Sequence, residues 1–265
     1  MRARGYGPGG SPARGVVMAP FLVALAAACA LVAGEGPAAG ATVRVAVAAN
    51  FQPALAELVP LFAAATGHEV VASAGSSGKL AAQVEQGAPF DVLLSADAER
   101  PRQLVERGLA ERSSRFTYAR GRLVLWSARP GLRLGPETLR EGDFRHLAVA
   151  NHETAPYGAA ALEVLHRLDA YRRVSRRLVR GESVGQTYAF VDSGAAELGF
   201  VALSQVAGRR DGSSWIVPAR MHSPIEQQAV LLTAAAEPDA ARALLRWLAG
   251  AEARAVMTRH GYEPP

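Results

Sequence analysis

From residue 42 onward, short apolar runs alternate with stretches whose apolar residues recur at helical spacing. Residues 43–49 are Val and Ala broken only by Arg44, which predicts a buried strand. Residues 53–65 then set Leu55, Leu58, Leu61 and Phe62 on one helical face, and Gly67-His68 ends that helix. Residues 69–73 predict a second strand, residues 80–85 with their flanks a helix closed by Gly87, and residues 90–95 a third strand. Such alternation, with near-continuous apolar strands, predicts a parallel sheet covered on both faces.

The pattern breaks at residues 115–127, which read as one long extended segment ended by Pro130-Gly131. It then restarts with a strand at 146–150, a helix at 157–168, a strand at 174–180, a helix at 184–191 and a strand at 198–202. A second extended stretch, 215–217 and 227–232, precedes helices at 239–248 and 251–260. The predicted architecture is α/β: two doubly wound lobes joined by two extended crossings. Lobe 1 is discontinuous, residues 42–118 and 222–265, and lobe 2 is residues 119–221. Ligands of such sheets bind beyond the carboxyl ends of the strands, here the cleft between lobes.

Four strand ends run into a helix through small or polar residues: Ala48-Ala49-Asn50, Gly75-Ser76-Ser77-Gly78, Ala155-Pro156-Tyr157-Gly158 and Glu182-Ser183-Val184-Gly185. A helix N-terminus leaves N–H groups without internal partners and carries roughly half a positive charge. Each junction alone reads as well as a plain N-cap. Two in each lobe, aimed at one point, would supply about two positive charges and a cage of donors for a small dianion.

Composition narrows the field. The apolar share is 49% with 6% aromatic, which suits a helix-rich α/β chain of 265 residues with ample core. The net charge is +5, yet Lys79 is the sole lysine, and the arginines lie among acidic residues without interleaved aromatics, so no nucleic-acid partner is expected. Residues 1–41 read as an export signal: Arg2, Arg4 and Arg14 lead, residues 16–32 are nearly all apolar, and Ala39-Gly40-Ala41 offers the small-x-small cleavage pattern. Pro20 and the following Gly/Pro/Ala stretch argue against a membrane span. Lipidation at Cys29 would need the usual Leu ahead of Ala27-Ala28, which is absent. The expected location is the periplasm, with a mature chain free of cysteine.

Catalytic readings find little support. Gly75-Ser76-Ser77-Gly78-Lys79-Leu80 is too short for a phosphate loop, and Leu80 stands where Ser or Thr would bind magnesium. The six histidines show no metal-ligand spacing, and no Gly-x-Ser-x-Gly elbow occurs. Asp91, Asp97 and Glu182 could be cleft acids but nothing pairs them, and Asp97 reads as a helix cap. Neither an enzyme nor a cofactor is expected.

These blocks, with Gly87-Ala88-Pro89-Phe90-Asp91-Val92, Ser95-Ala96-Asp97, Ser183-Val184-Gly185-Gln186 and the run 194–201, resemble the periplasmic molybdate-binding proteins of ABC importers. The likeness runs in order from about Val43 to the C-terminus. It implies the type II periplasmic-binding-protein fold and a molybdate or tungstate dianion held in the cleft. By resemblance the anion is held, as an oxyanion and not by direct metal ligation, at Asn50 and Ser77 of one lobe and by N–H groups at Tyr157 and Val184 of the other. Ala49 would add a further main-chain donor. A tyrosine that some relatives place just after the Leu-Gly-x-Val strand is Ala202 here, so Asn50 is expected to stand in for it. The implied partners are a membrane permease and its ATPase, and the implied state is a monomer. Sulfate or another oxyanion, a hydrolase of a phosphorylated small molecule, and a structural domain whose caps are only caps stand as the alternatives.

Overall fold

The computed structural model describes residues 40–265, so nearly all of the expected export signal, Cys29 included, lies outside the described residues. The chain runs β1 (Thr42–Ala48), α1 (Gln52–Thr66), β2 (Glu69–Gly75), α2 (Ser77–Glu85), β3 (Val92–Ser95), α3 (Glu99–Glu106) and β4 (Phe116–Gly121). It continues through β5 (Leu123–Ser127), α4 (Pro136–Glu141), β6 (Leu147–Ala150), α5 (Pro156–Arg167) and α6 (Tyr171–Val174). Next come β7 (Leu178–Gly181), α7 (Val184–Asp192), β8 (Leu198–Ala202), α8 (Leu203–Val206) and β9 (Ser213–Ile216). β10 (Ile225–Leu231), α9 (Pro238–Leu248) and α10 (Ala251–Arg259) complete it.

Two five-stranded sheets result, ordered β2-β1-β3-β10-β4 and β7-β6-β8-β5-β9. β1 is parallel to β2 and β3, and β6 to β7 and β8, as the apolar runs predict. The sheets are mixed, however, because β10 is antiparallel to β3 and β4, and β5 to β8 and β9. The reason lies in where the crossing strands enter. Gln228 pairs with Ser95 and Leu123 with Ala202, so both arrive beside the carboxyl ends of the parallel strands and must run back against them.

The extended segment expected over 115–127 is two strands broken at Arg122, one in each sheet. β4 therefore carries the first sheet to Gly121, past the boundary expected at 118. An unbroken extended run holds no local mark of where it leaves one sheet for the next. Likewise the strand expected from 174 starts at Leu178, because α6 and a 3-10 turn at Ser175–Arg177 occupy its first residues.

Each sheet packs its own core. In the first, Val43, Val45 and Val47 meet Phe51, Leu55, Leu58 and Phe62 around α1, with Leu244 and Leu248 of α9 on the same cluster. In the second, Leu123, Leu125, Leu147 and Phe200 meet Val164 and Leu165 of α5. Burying each such side chain contributes about 1.5–3 kcal/mol. Asp91 is a structural staple: its buried carboxylate accepts from the N–H groups of Arg44 and Ala236, both at 2.7 Å.

Glu197 pins the opposite end of the second sheet, accepting from Arg145 Nε and His146 N–H, each at 2.8 Å. Its burial works to raise the pKa, but these hydrogen bonds prevail and hold it at about 2, below the usual 4.5. A depressed folded-state value means that the stabilisation is complete above the unfolded pKa and is lost as pH falls through the folded one. Glu197→Gln should therefore flatten the loss of stability between about pH 4.5 and 2, measured by urea denaturation across that range. An acid limb identical to that of the parent would refute the assignment.

Candidate functional site

The four strand-to-helix junctions differ in how they use their polar groups. At the first, Ala49 N–H donates to Gly75 O at 2.9 Å and prolongs the β1–β2 ladder, so the donor expected there is already spent inside lobe 1. Asn50 does not cap α1, whose N-cap is Phe51. Its side-chain Nδ2 instead donates to Gln227 Oε1 (2.8 Å) and Tyr262 Oη (2.9 Å).

At the second junction Ser76 holds the N-cap position of α2 in extended conformation, yet its side chain caps nothing. The Ser76 hydroxyl is buried without a partner among the described residues. Ser77 Oγ accepts from Ala96 N–H at 2.9 Å, which leaves its own hydrogen to donate. At the third, Pro156 takes the first helical position of α5 and Tyr157 the second, where an N–H has no intrahelical acceptor. At the fourth, Ser183 is a true cap, accepting from Gln186 N–H at 3.3 Å, and Val184 N–H opens α7.

The structure brings these junctions together. Ala48, Ala49 and Ala96 of lobe 1 share one buried cluster with Ala155, Tyr157, Val184 and Ala202 of lobe 2. Gly78 N–H donates across the cleft to Thr154 O at 2.9 Å. A Cβ on Gly185 would stand 3.1 Å from that of Ala49, so the start of α7 lies directly against the end of β1. Asn50, Ser77, Tyr157 and Val184 are all buried where the ends of the two sheets meet.

Charge is kept to the rim. Lys79 Nζ meets Glu182 Oε2 at 2.5 Å between the two lobes, both half-exposed, and this hydrogen bond holds the Glu182 carboxyl below its usual range. Arg100 Nη2 donates to Glu153 O at 2.9 Å beside it. Asp97 Oδ1 accepts from Arg100 N–H at 2.8 Å in the expected capping role, while burial pushes its pKa up against the pull of Arg100. Burial also raises the Tyr157 and Tyr262 phenols, so both stay neutral. Among the described residues, no group of three or more His, Cys, Asp or Glu side chains could hold a metal ion. The centre is thus rich in N–H and O–H donors and lined by apolar walls, a setting in which donors act strongly on an anion.

Sequence reasoning missed Ser76 as a side chain and missed Gln227, Tyr262 and Ser204 entirely. Ser76 stood beside Ser77 but read as an ordinary cap. Gln227-Gln228 inside an apolar strand was a visible polar pair without a visible partner, and Tyr262 had no local signal.

A family model described as bacterial extracellular solute-binding protein matches residues 43–263. The molybdate-binding protein ModA of Rhodobacter capsulatus is 48% identical over 238 residues, covering 89% of this chain and 94% of that protein. That of Azotobacter vinelandii is 44% identical, covering 91% and 96%. The solved structure of the Azotobacter vinelandii periplasmic molybdate-binding protein superposes with a TM-score of 0.82 at 43% identity, covering 84% of this chain and 99% of that one.

Proposed function

The chain belongs to the family of bacterial extracellular solute-binding proteins, and from that premise we propose how it works. It is a periplasmic molybdate-binding protein serving ABC import, and it captures the anion in the closed interlobe cleft. The observation that carries this reading is the Ser76-Ser77 turn, with one buried hydroxyl unpartnered and the other keeping its hydrogen, followed by Gly78, whose N–H meets Thr154 O just ahead of α5. The donors are the Ser76 and Ser77 hydroxyls and the main-chain N–H groups at Asn50, Ser77, Tyr157 and Val184, while the Asn50 side-chain amide gives its hydrogens to Gln227 and Tyr262. Charge-assisted hydrogen bonds contribute about 1.5–3 kcal/mol each, so a few suffice for tight binding.

Molybdate and tungstate carry no proton at neutral pH and accept at every oxygen. Hydrogen phosphate carries a proton that needs an acceptor, and leaving it buried and unpaired costs about 1–3 kcal/mol. Sulfate is likewise an all-acceptor dianion, so only its smaller size can set it apart from molybdate. The protein performs no chemistry on its cargo, needs no cofactor, acts as a monomer and hands the anion to a permease driven by an ATPase.

Titration calorimetry of residues 42–265 should give one-to-one binding of molybdate and tungstate, with little heat from sulfate or phosphate. Molybdate at a thousand times its Kd should add about 4 kcal/mol to folding stability, seen as a raised Tm. Equal affinity for sulfate would make the protein a general oxyanion carrier, and silence from all four anions would remove the reading.

A further inference from the structure

Arginines lie among acidic residues along most of the chain, but not over residues 167–180. That run holds six arginines, Arg167, Arg172, Arg173, Arg176, Arg177 and Arg180, against one acid, Asp169. Its net of +5 equals the formal charge of the whole 265-residue chain. The six gather along the β7 edge of the second sheet. Arg167 ends α5, Arg172 and Arg173 lie on α6, Arg176 and Arg177 on the 3-10 turn and Arg180 on β7. Asp169, at a φ of 53°, turns the chain between the two helices, and Tyr171 of α6 stacks on His166 of α5 with ring centres 4.6 Å apart.

Elsewhere arginine charge is cancelled in place. Arg102 meets Glu99 and Glu106, Arg140 meets Glu137, Arg145 meets Glu197 and Arg242 meets Glu111. None of the six makes an ion pair among the described residues, and all but Arg177 are exposed. Arg167 Nη1 donates to Arg220 O at 2.6 Å, and Arg177 lies over the Phe144 ring, 5.9 Å from its centre. Neither contact removes charge. Glu163, one turn before Arg167, gives a carboxylate oxygen to Ser223 N–H. Glu141 and Asp143 offset part of the charge of Arg173 and Arg177, because both arginines approach Gly142 between them.

Guanidinium groups are weakly hydrated and pair with phosphate oxygens through two parallel hydrogen bonds, so phosphate is the partner this patch fits best. What the patch lacks decides the partner's form. Specific protein interfaces have an apolar centre, whereas the exposed large apolar side chains, Val71, Leu132 and Ile216, all lie outside this run. A lipid surface asks only for charge. Clusters of about four to eight basic residues adsorb to anionic leaflets, each residue strengthening the partition about fivefold. Arg167 is also separated from Tyr157 by about 15 Å of helix, so the patch is remote from the anion site at the start of α5.

We propose that residues 167–180 form a docking surface for a bilayer rich in anionic phospholipid, with the arginines on the lipid phosphates. Adsorption holds the protein at the membrane plane without using any group of the cleft. This goes beyond the molybdate reading and does not depend on it.

The test is flotation of residues 42–265 with vesicles of mixed phosphatidylglycerol and phosphatidylcholine, against phosphatidylcholine alone, at about 0.15 M salt. The parent should float with the anionic vesicles, stay in solution with the neutral ones and be released as salt rises. Arg172→Gln, Arg173→Gln and Arg176→Gln combined should weaken the partition about a hundredfold. Arg102→Gln, Arg140→Gln and Arg242→Gln combined remove the same charge from paired positions and should lose less than about threefold. Molybdate affinity should match the parent's in both. Equal losses in the two triple variants would reduce the effect to net charge and overturn the docking surface. A parent that stays in solution with anionic vesicles would overturn it as well. Retention on polyglutamate at salt that releases the protein from vesicles would give the patch to an acidic protein instead. A parent that floats yet binds no molybdate keeps this surface and removes only the reading of the cleft.

Discussion

Ser77→Asp should abolish molybdate binding, weakening it at least about a thousandfold by calorimetry. Ser77 is fully buried, and its Oγ sits at the start of α2 with Ala96 N–H as its donor. An aspartate can accept that same N–H and is welcome at a helix N-terminus, so the fold should tolerate it. The anion should not. At an effective dielectric of 20, unit charges about 4 Å apart repel by about 4 kcal/mol, and a dianion doubles that. Half of the sum already amounts to about three powers of ten in Kd. Ser77→Ala, which removes one donor and adds no charge, should lose only about tenfold. Circular dichroism verifies that the variants are folded. Affinity for Ser77→Asp within threefold of the parent would place the anion elsewhere.

Gly158→Ala should cost both stability and affinity through one added methyl group. A Cβ at residue 158 would stand 2.7 Å from the carbonyl carbon of Ala150 and 3.0 Å from that of Asn151. Both neighbours are main chain at the end of β6, so they cannot swing aside as a side-chain tip would. α5 must lift from the sheet, and overpacking of this kind costs about 1–3 kcal/mol, with the rigid neighbours placing it at about 3. The same movement carries the Tyr157 N–H and phenol away from the cleft, so molybdate affinity should fall at least about tenfold. Gly208→Ala is the control, since nothing lies within 4 Å of its Cβ position. It should stay within about 0.5 kcal/mol of the parent in urea denaturation. Equal behaviour of the two variants would mean that α5 is not held as tightly as its contacts require.

The elements and the class of chemistry were legible along the chain. Val43 to Val47 could only be a buried strand, Pro156 and Ser183 could only open helices, and four helix starts at strand ends promised donors without charge. These are local properties, set by side-chain periodicity and by which N–H groups a helix leaves unpaired. The tertiary structure decided which of those donors remain available. Ala49 and Ser77 look alike in sequence as members of small-residue turns, yet Ala49 N–H is consumed by Gly75 across the ladder while Ser77 keeps a hydrogen to give. Asn50 looked like a cap and is instead gripped by Gln227 and Tyr262, residues 177 and 212 positions away. The split at Arg122 and the reversed direction of β5 and β10 were equally hidden. A hydrogen bond has two ends, and a sequence reveals the partner only when it is near along the chain. Where the partner comes from the other end of the molecule, closure of the fold decides whether a polar group is spent or left to bind.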